Sequence, residues 1–162
     1  ARRVTIIPLE AIARFRVAGS LEKRTGLPYG HRCAPPVVEF YYKDDALGDP
    51  MLNDAHIALL NLADDDTVAS LRAMTRSIAV ELESLFARGE MDLYDIKFEF
   101  GRTAGGELIL ADEISPDTCR LRDRNDGSIL DKDRFRKDQG DLIEGYREVL
   151  ARLEKVLEKG AQ

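Results

Sequence analysis

"YDIKFEFG", residues 94–101, sets Asp95, Lys97 and Glu99 at every second position, with Ile96, Phe98 and Phe100 between them. Successive side chains of a strand point to opposite faces, so an extended reading gives one apolar face and one bearing carboxylate, ammonium, carboxylate. That pattern describes either a half-exposed strand with a wet side or a surface built to handle charge. The rest of the chain has to choose between the two.

Two other stretches repeat it. Residues 4–17, "VTIIPLEAIARFRV", predict one strand, or two interrupted near Pro8, with Ile7, Leu9, Ala11, Ala13, Phe15 and Val17 on one side and Glu10, Arg14 and Arg16 on the other. Residues 37–45, "VVEFYYKDD", set Val38, Phe40 and Tyr42 against Glu39, Tyr41, Lys43 and Asp45. Between them, residues 18–36 are rich in Gly and Pro and predict loop, with at most a short helix after Ser20. Residues 46–54 read as a turn leading into a short helix around 53–60.

Residues 64–89 begin on Asp, end on Gly89 and repeat Val68, Leu71, Ile78, Leu82 and Leu85 at helical spacing, which predicts a long helix lying over a sheet. Residues 94–115 predict a hairpin whose turn is carried by Gly101, Gly105 and Gly106. A last helix is expected over 140–158 from Leu142, Tyr146, Val149, Leu153, Val156 and Leu157. Strands with helices grouped between them predict an α+β fold, a mainly antiparallel sheet covered by helices, in one domain over residues 1–162.

Composition agrees with one core: 162 residues, 44% hydrophobic and 33% charged. A net charge of -6 argues against a broad nucleic-acid footprint, so any phosphate binding has to be local. Cys33 and Cys119 are far apart in sequence and form no zinc or disulfide spacing, which leads us to expect a reduced, cytoplasmic setting. No apolar run approaches the roughly 18 residues of a membrane span, and "ARRVTIIPLE" lacks the apolar core of a signal peptide. Neither membrane nor nucleic acid is expected as a partner, and a homo-oligomer is left open. The sequence opens on Ala and enters a strand pattern by Val4, which fits an additional upstream segment.

The charged positions suit definite chemistry. Carboxylates on neighbouring strand positions suit a hard cation such as magnesium, which takes one or two of them together with substrate phosphates. Lys97 between them suits a phosphate. Asp112, in "LADEIS", joins Glu99 if the register brings even-numbered residues to the charged face. Arg14 and Arg16 offer donor forks for phosphate or carboxylate. Gly19 and Ser20 read either as a phosphate cradle or as a plain helix cap. In "SPDTCR", Ser115 and Pro116 predict a helix start, while Asp117 and Arg120 read as ligand contacts or a local ion pair. His31 and His56 read as loop and surface residues. Neither GxxxxGK nor GxGxxG occurs.

Five stretches, "RFRVAGSLEKRTG", "EFYYKDDALGDP", "YDIKFEFG", "LADEISPDTCRLRD" and "DKDRFR", together resemble in order and spacing the SAICAR synthetase (phosphoribosylaminoimidazole-succinocarboxamide synthase) family. The resemblance implies the larger, substrate- and metal-binding lobe of a two-lobe, ATP-grasp-like ligase. It implies ATP-dependent joining of L-aspartate to carboxyaminoimidazole ribonucleotide (CAIR) in purine biosynthesis, with release of ADP and phosphate. The substrate carboxylate is phosphorylated first in such enzymes, and the aspartate amine then displaces phosphate.

By the same resemblance, Glu99 and Asp112 would hold Mg2+, Lys97 would face phosphate or the substrate carboxylate, and Asp95 would position groups or move a proton. Arg14 and Ser20 would grip the ribonucleotide phosphate, Arg120 and Arg136 would assist at the substrate, and Lys43, Asp49 and Asp117 would line the cleft. Two departures stand out. The family's Arg-Asn pair is here Arg14 followed by Phe15, and the family's smaller lobe, whose Gly- and Lys-containing loop covers ATP, has no counterpart in residues 1–162. A non-catalytic or truncated relative that binds a nucleotide or phosphorylated ligand is the alternative, and an interaction domain with a merely wet charged face is the third.

Overall fold

A computed structural model describes residues 2–136 and 142–160. Its strands are β1 (Val4–Arg16), β2 (Arg32–Tyr42), β3 (Met51–Leu52), β4 (Met91–Thr103), β5 (Leu108–Leu110) and β6 (Cys119–Asp123). Its helices are α1 (Ser20–Thr25), α2 (Asp54–Leu59), α3 (Asp65–Arg88), α4 (Asp133–Arg136) and α5 (Leu142–Gly160). The strands form one antiparallel sheet in the order β3-β2-β1-β4-β5, with β6 also paired to β4. One edge of β4 meets β1, and the other is shared between β6 on Met91–Ile96 and β5 on Phe100–Arg102. The α+β architecture is the expected one, and "YDIKFEFG" sits at its centre.

Alternation sorts the two faces. Leu9, Ala11, Ala13 and Phe15 of β1, Phe40 of β2 and Ile96, Phe98 and Phe100 of β4 are buried in a core with Val68, Leu71, Ala79 and Phe86 of α3 and Val149 of α5. Each large side chain removed from water there contributes roughly 2–3 kcal/mol, enough in sum to fix which face turns inward. The Asp64 carboxylate starts α3 by accepting from the Thr67 amide at 2.8 Å, with Asp65 and Asp66 at the helix's positive end.

One open alternative is decided and three local readings change. β1 runs unbroken through Pro8, which lies just beyond the β1–β2 ladder that begins at Leu9 and Tyr42; its carbonyl accepts from the Lys43 amide on that side and no ladder bond is asked of its nitrogen. β2 starts at Arg32, taking in residues expected to be loop. Gly101 lies inside β4, where an added Cβ would come within 2.8 Å of Val4, so close approach to β1 and not a turn requires it. Residues 115–118 make a turn, closed by the Thr118 amide on the Ser115 carbonyl, in place of the helix start expected at Ser115 and Pro116.

Candidate functional site

The sheet face opposite α3 gathers the charged positions into one surface. Antiparallel register sets Arg14 beside Asp95, Ile12 beside Lys97 and Glu10 beside Glu99, while Arg120 of β6 flanks Asp95 from the other edge. Long side chains on facing positions can therefore meet over the strands.

On one side is a guanidinium–carboxylate clamp. Arg14 is 2% exposed and donates to Glu39 at 2.7 Å, Asp95 at 3.0 Å, Ser20 Oγ at 3.0 Å and Tyr41 at 3.2 Å. Arg120 donates from one terminal nitrogen to both oxygens of Asp95, at 2.8 and 3.0 Å, and from Nε to Asp133 at 2.9 Å. Every donor on this carboxylate is charged, the stronger kind of hydrogen bond.

On the other side, Lys97 is a hub. Its Nζ donates to Glu10 at 2.9 Å and Glu99 at 3.1 Å and lies 3.7 Å from Asp112. Lys43 reaches both Glu99 oxygens at 2.6 Å. Burial weakens the Lys97 ammonium, but Glu10 and Glu99 outweigh it and hold its pKa above the ordinary lysine range. Burial likewise pushes the Glu99 carboxyl up, and the hydrogen bonds from Lys43 and Lys97 reverse this and leave it below the usual value.

Asp112 arrives by a route that alternation would not give. Leu110 stands opposite Phe100 and packs against the core, so continued pairing would send Asp112 to the apolar face. β5 instead ends at Leu110, and the chain swings Asp112 toward Lys97 with one buried carboxylate oxygen lacking a hydrogen-bond partner among the described residues. Among the described residues no three metal-ligating side chains cluster. Of the three carboxylates around the Lys97 ammonium, Glu99 and Asp112, the latter with an unused oxygen, still suit a cation that shares its shell with phosphate oxygens.

A cavity of about 130 Å³ opens between the two halves, lined by Asp95, Lys97, Thr118, Arg120 and Lys132. Thr118 and Lys132 were missed from the sequence as individual residues, although "DKDRFR" carries Lys132. The larger concavity of about 480 Å³, beside Asp54, Arg72 and Arg76, lies on the helical side, away from this charge. Asp49 stays out of the network and accepts from the Asp44 amide at 3.0 Å in its own turn. Asp117 is exposed and accepts from the Tyr146 hydroxyl at 2.6 Å. Arg136 ends α4, and its side chain lies outside the described residues. Arg16 turns to Asp92 and the Gly30 carbonyl. Phe15 is fully buried in the core, on the side of the sheet away from the charged residues. Asp95 and Glu99 are themselves 4% and 9% exposed, which is not how a merely wet strand face is built.

A family model described as SAICAR synthetase matches residues 1–153. The chain belongs to the SAICAR synthetase family. It is 53% identical over 152 residues to a phosphoribosylaminoimidazole-succinocarboxamide synthase of Shouchella clausii and 48% identical to that of Bacillus subtilis. Each match takes in 94% of this chain but 64% and 63% of the relative, so the chain spans less than two thirds of these relatives' length. Among solved structures of the family, a SAICAR synthetase in complex with ADP superposes with a TM-score of 0.90 at 43% identity, over 93% of this chain and 64% of that one. The Pyrococcus horikoshii SAICAR synthetase superposes equally well, at 42% identity over 94% of this chain and 67% of that one.

Proposed function

We propose that this chain is the larger, substrate-side lobe of a cytoplasmic ATP-dependent ligase of purine biosynthesis, joining L-aspartate to CAIR to give SAICAR, ADP and phosphate. The observation that carries the reading is the pairing, across one cavity, of the Arg14–Asp95–Arg120 clamp with the Lys97–Glu99–Asp112 hub in a chain of this family. The ADP-bound relative supports ATP as the energy source, and the two unpaired cysteines suit a reduced compartment.

The roles follow from charge and reach. Lys97, held protonated, acts as a fixed positive charge for a phosphoryl or carboxylate oxygen and not as a base. Both oxygens of Asp95 are taken by arginines, which makes it the anion that orients them more than a proton acceptor. Arg14, with Ser20 on its outer nitrogen, and Arg120 face the anionic groups of the ribonucleotide. Lys132 adds a second cation to the same cavity. Glu99 and Asp112 are the residues that would hold magnesium, which would supply positive charge to offset that of the nucleotide phosphates and the transferring phosphoryl.

The test is Glu99→Ala in the complete enzyme, expected to abolish turnover with little change in fold. Retained turnover would remove the metal assignment. A complete wild-type protein that binds the ribonucleotide without turning it over would establish the non-catalytic alternative. Calorimetric titration of CAIR into this chain, with an Arg14→Ala, Ser20→Ala double variant as control, is expected to show heat lost in the variant; equal heats would remove Arg14 and Ser20 from the substrate site.

A further inference from the structure

The "DKD" of residues 131–133 does two things at once. Lys132 lines the cavity while the acids on either side of it turn inward. Asp131 is 1% exposed: one oxygen accepts from the Asp133 amide at 2.8 Å, and the other accepts from the Leu121 amide at 2.7 Å and pairs with buried Arg122. It thereby ties the middle of β6 to the start of α4. Asp133, set in place by that tie, accepts from Arg120 Nε at 2.9 Å, and Arg120 Nη1 is committed to Asp95.

Arg120 Nη2 is left without a hydrogen-bond partner among the described residues. It lies 2.9 Å from where a Cβ on Gly19 would stand, at a backbone φ of +57° that glycine tolerates. A guanidinium is planar, so holding Nε and one terminal nitrogen fixes the direction of the other. Without the hold on Nε, a long arginine side chain would have to be ordered at the moment of binding.

We infer that Asp133, anchored through Asp131, is a positioning residue that aims the free nitrogen of Arg120 at an anionic group of the ribonucleotide. The inference rests on the reading that Arg120 meets that substrate. It assigns the first acid of "DKD" to holding the second, the second to aiming Arg120, and Gly19 to leaving room for the guanidinium.

The experiment is steady-state kinetics of the complete enzyme with Asp133→Asn, Arg120→Lys and the double variant. Asp133→Asn is expected to raise the KM for CAIR about tenfold, the loss of one charged hydrogen bond, and to leave the KM for ATP unchanged. In the Arg120→Lys background the same change is expected to add less than about twofold, since no guanidinium remains to be aimed. Equal rises in both KM values, or effects that multiply in the double variant, would make Asp133 a structural residue and overturn the inference. Should Asp133→Asn fail to fold, Asp133→Glu keeps the charge, displaces the carboxylate and is expected to raise the CAIR KM alone. Wild-type kinetics in Arg120→Lys would instead remove Arg120 from the substrate site, a separate failure of the underlying reading.

Discussion

The two halves of the charged face use the same residue types in opposite ways. In the clamp, Arg14 is almost wholly buried and makes four side-chain hydrogen bonds, and both oxygens of Asp95 are satisfied by arginines. In the hub, Lys97 is 28% and Lys43 46% exposed in their side chains, and one Asp112 oxygen has no hydrogen-bond partner among the described residues. Planar, multiply held guanidiniums give a fixed geometry that suits recognition of a particular anion. Ammonium groups are point charges on flexible stems, and a carboxylate with a spare oxygen can exchange one partner for another. The clamp is a template, and the hub is a place where ions change hands.

Four experiments break or sharpen this contrast. The largest effect is expected from Arg14→Met, which takes a buried partner from both Asp95 and Glu39 and leaves the first to Arg120 and the second to Arg24; chemical denaturation should show a loss of about 3 kcal/mol. A loss under about 1 kcal/mol would mean that the clamp is as loosely held as the hub. Gly19→Ala comes next, because its positive φ strains any side chain and its Cβ would press on Arg120; roughly 1–2 kcal/mol is expected by the same measurement.

Glu99→Gln should cost on the order of 1 kcal/mol at neutral pH. Its pKa in the folded chain lies below the ordinary glutamate value, so the carboxylate's contribution is present above that ordinary value and is lost as pH falls through the lower folded one. The gap between wild type and Glu99→Gln, followed by denaturation across acid pH, should therefore close on acidification; a gap that widens would reverse the sign assigned to Glu99. Lys43→Met, at a half-exposed lysine whose partner Glu99 keeps Lys97, should change stability by at most about 0.5 kcal/mol. A larger loss would show that the hub is braced like the clamp.

Much of this was legible in the sequence, and the exceptions share a cause. Asp95, Lys97, Glu99, Arg14, Ser20, Lys43, Asp112 and Arg120 were all picked out, and all lie on one charged face, in its clamp or its hub. Glu10, Glu39, Tyr41, Thr118 and Asp133 complete it, yet nothing within a few residues of any of them announces a partner 25 or 87 positions away, as for Arg14 with Glu39 and Lys97 with Glu10. Asp49 and Asp117 sit within the same motifs and turn elsewhere. Motif membership gave their neighbourhood but not their direction.

The sequence by itself determined which residues share a face: β1 in its alternation, β4 from Asp95 to Phe100, and the long helix from Asp64 to Gly89. Those are contacts between near neighbours in the chain, and their pattern is written locally. Tertiary structure alone decided what stands opposite what. The extra residue at Tyr94 puts Met91 and Leu93 into the same core as Ile96 and Phe98, and the early end of β5 delivers Asp112 to Lys97. Register is set by the packing of distant segments, and a slip of one residue exchanges the two faces, so no local pattern can carry it.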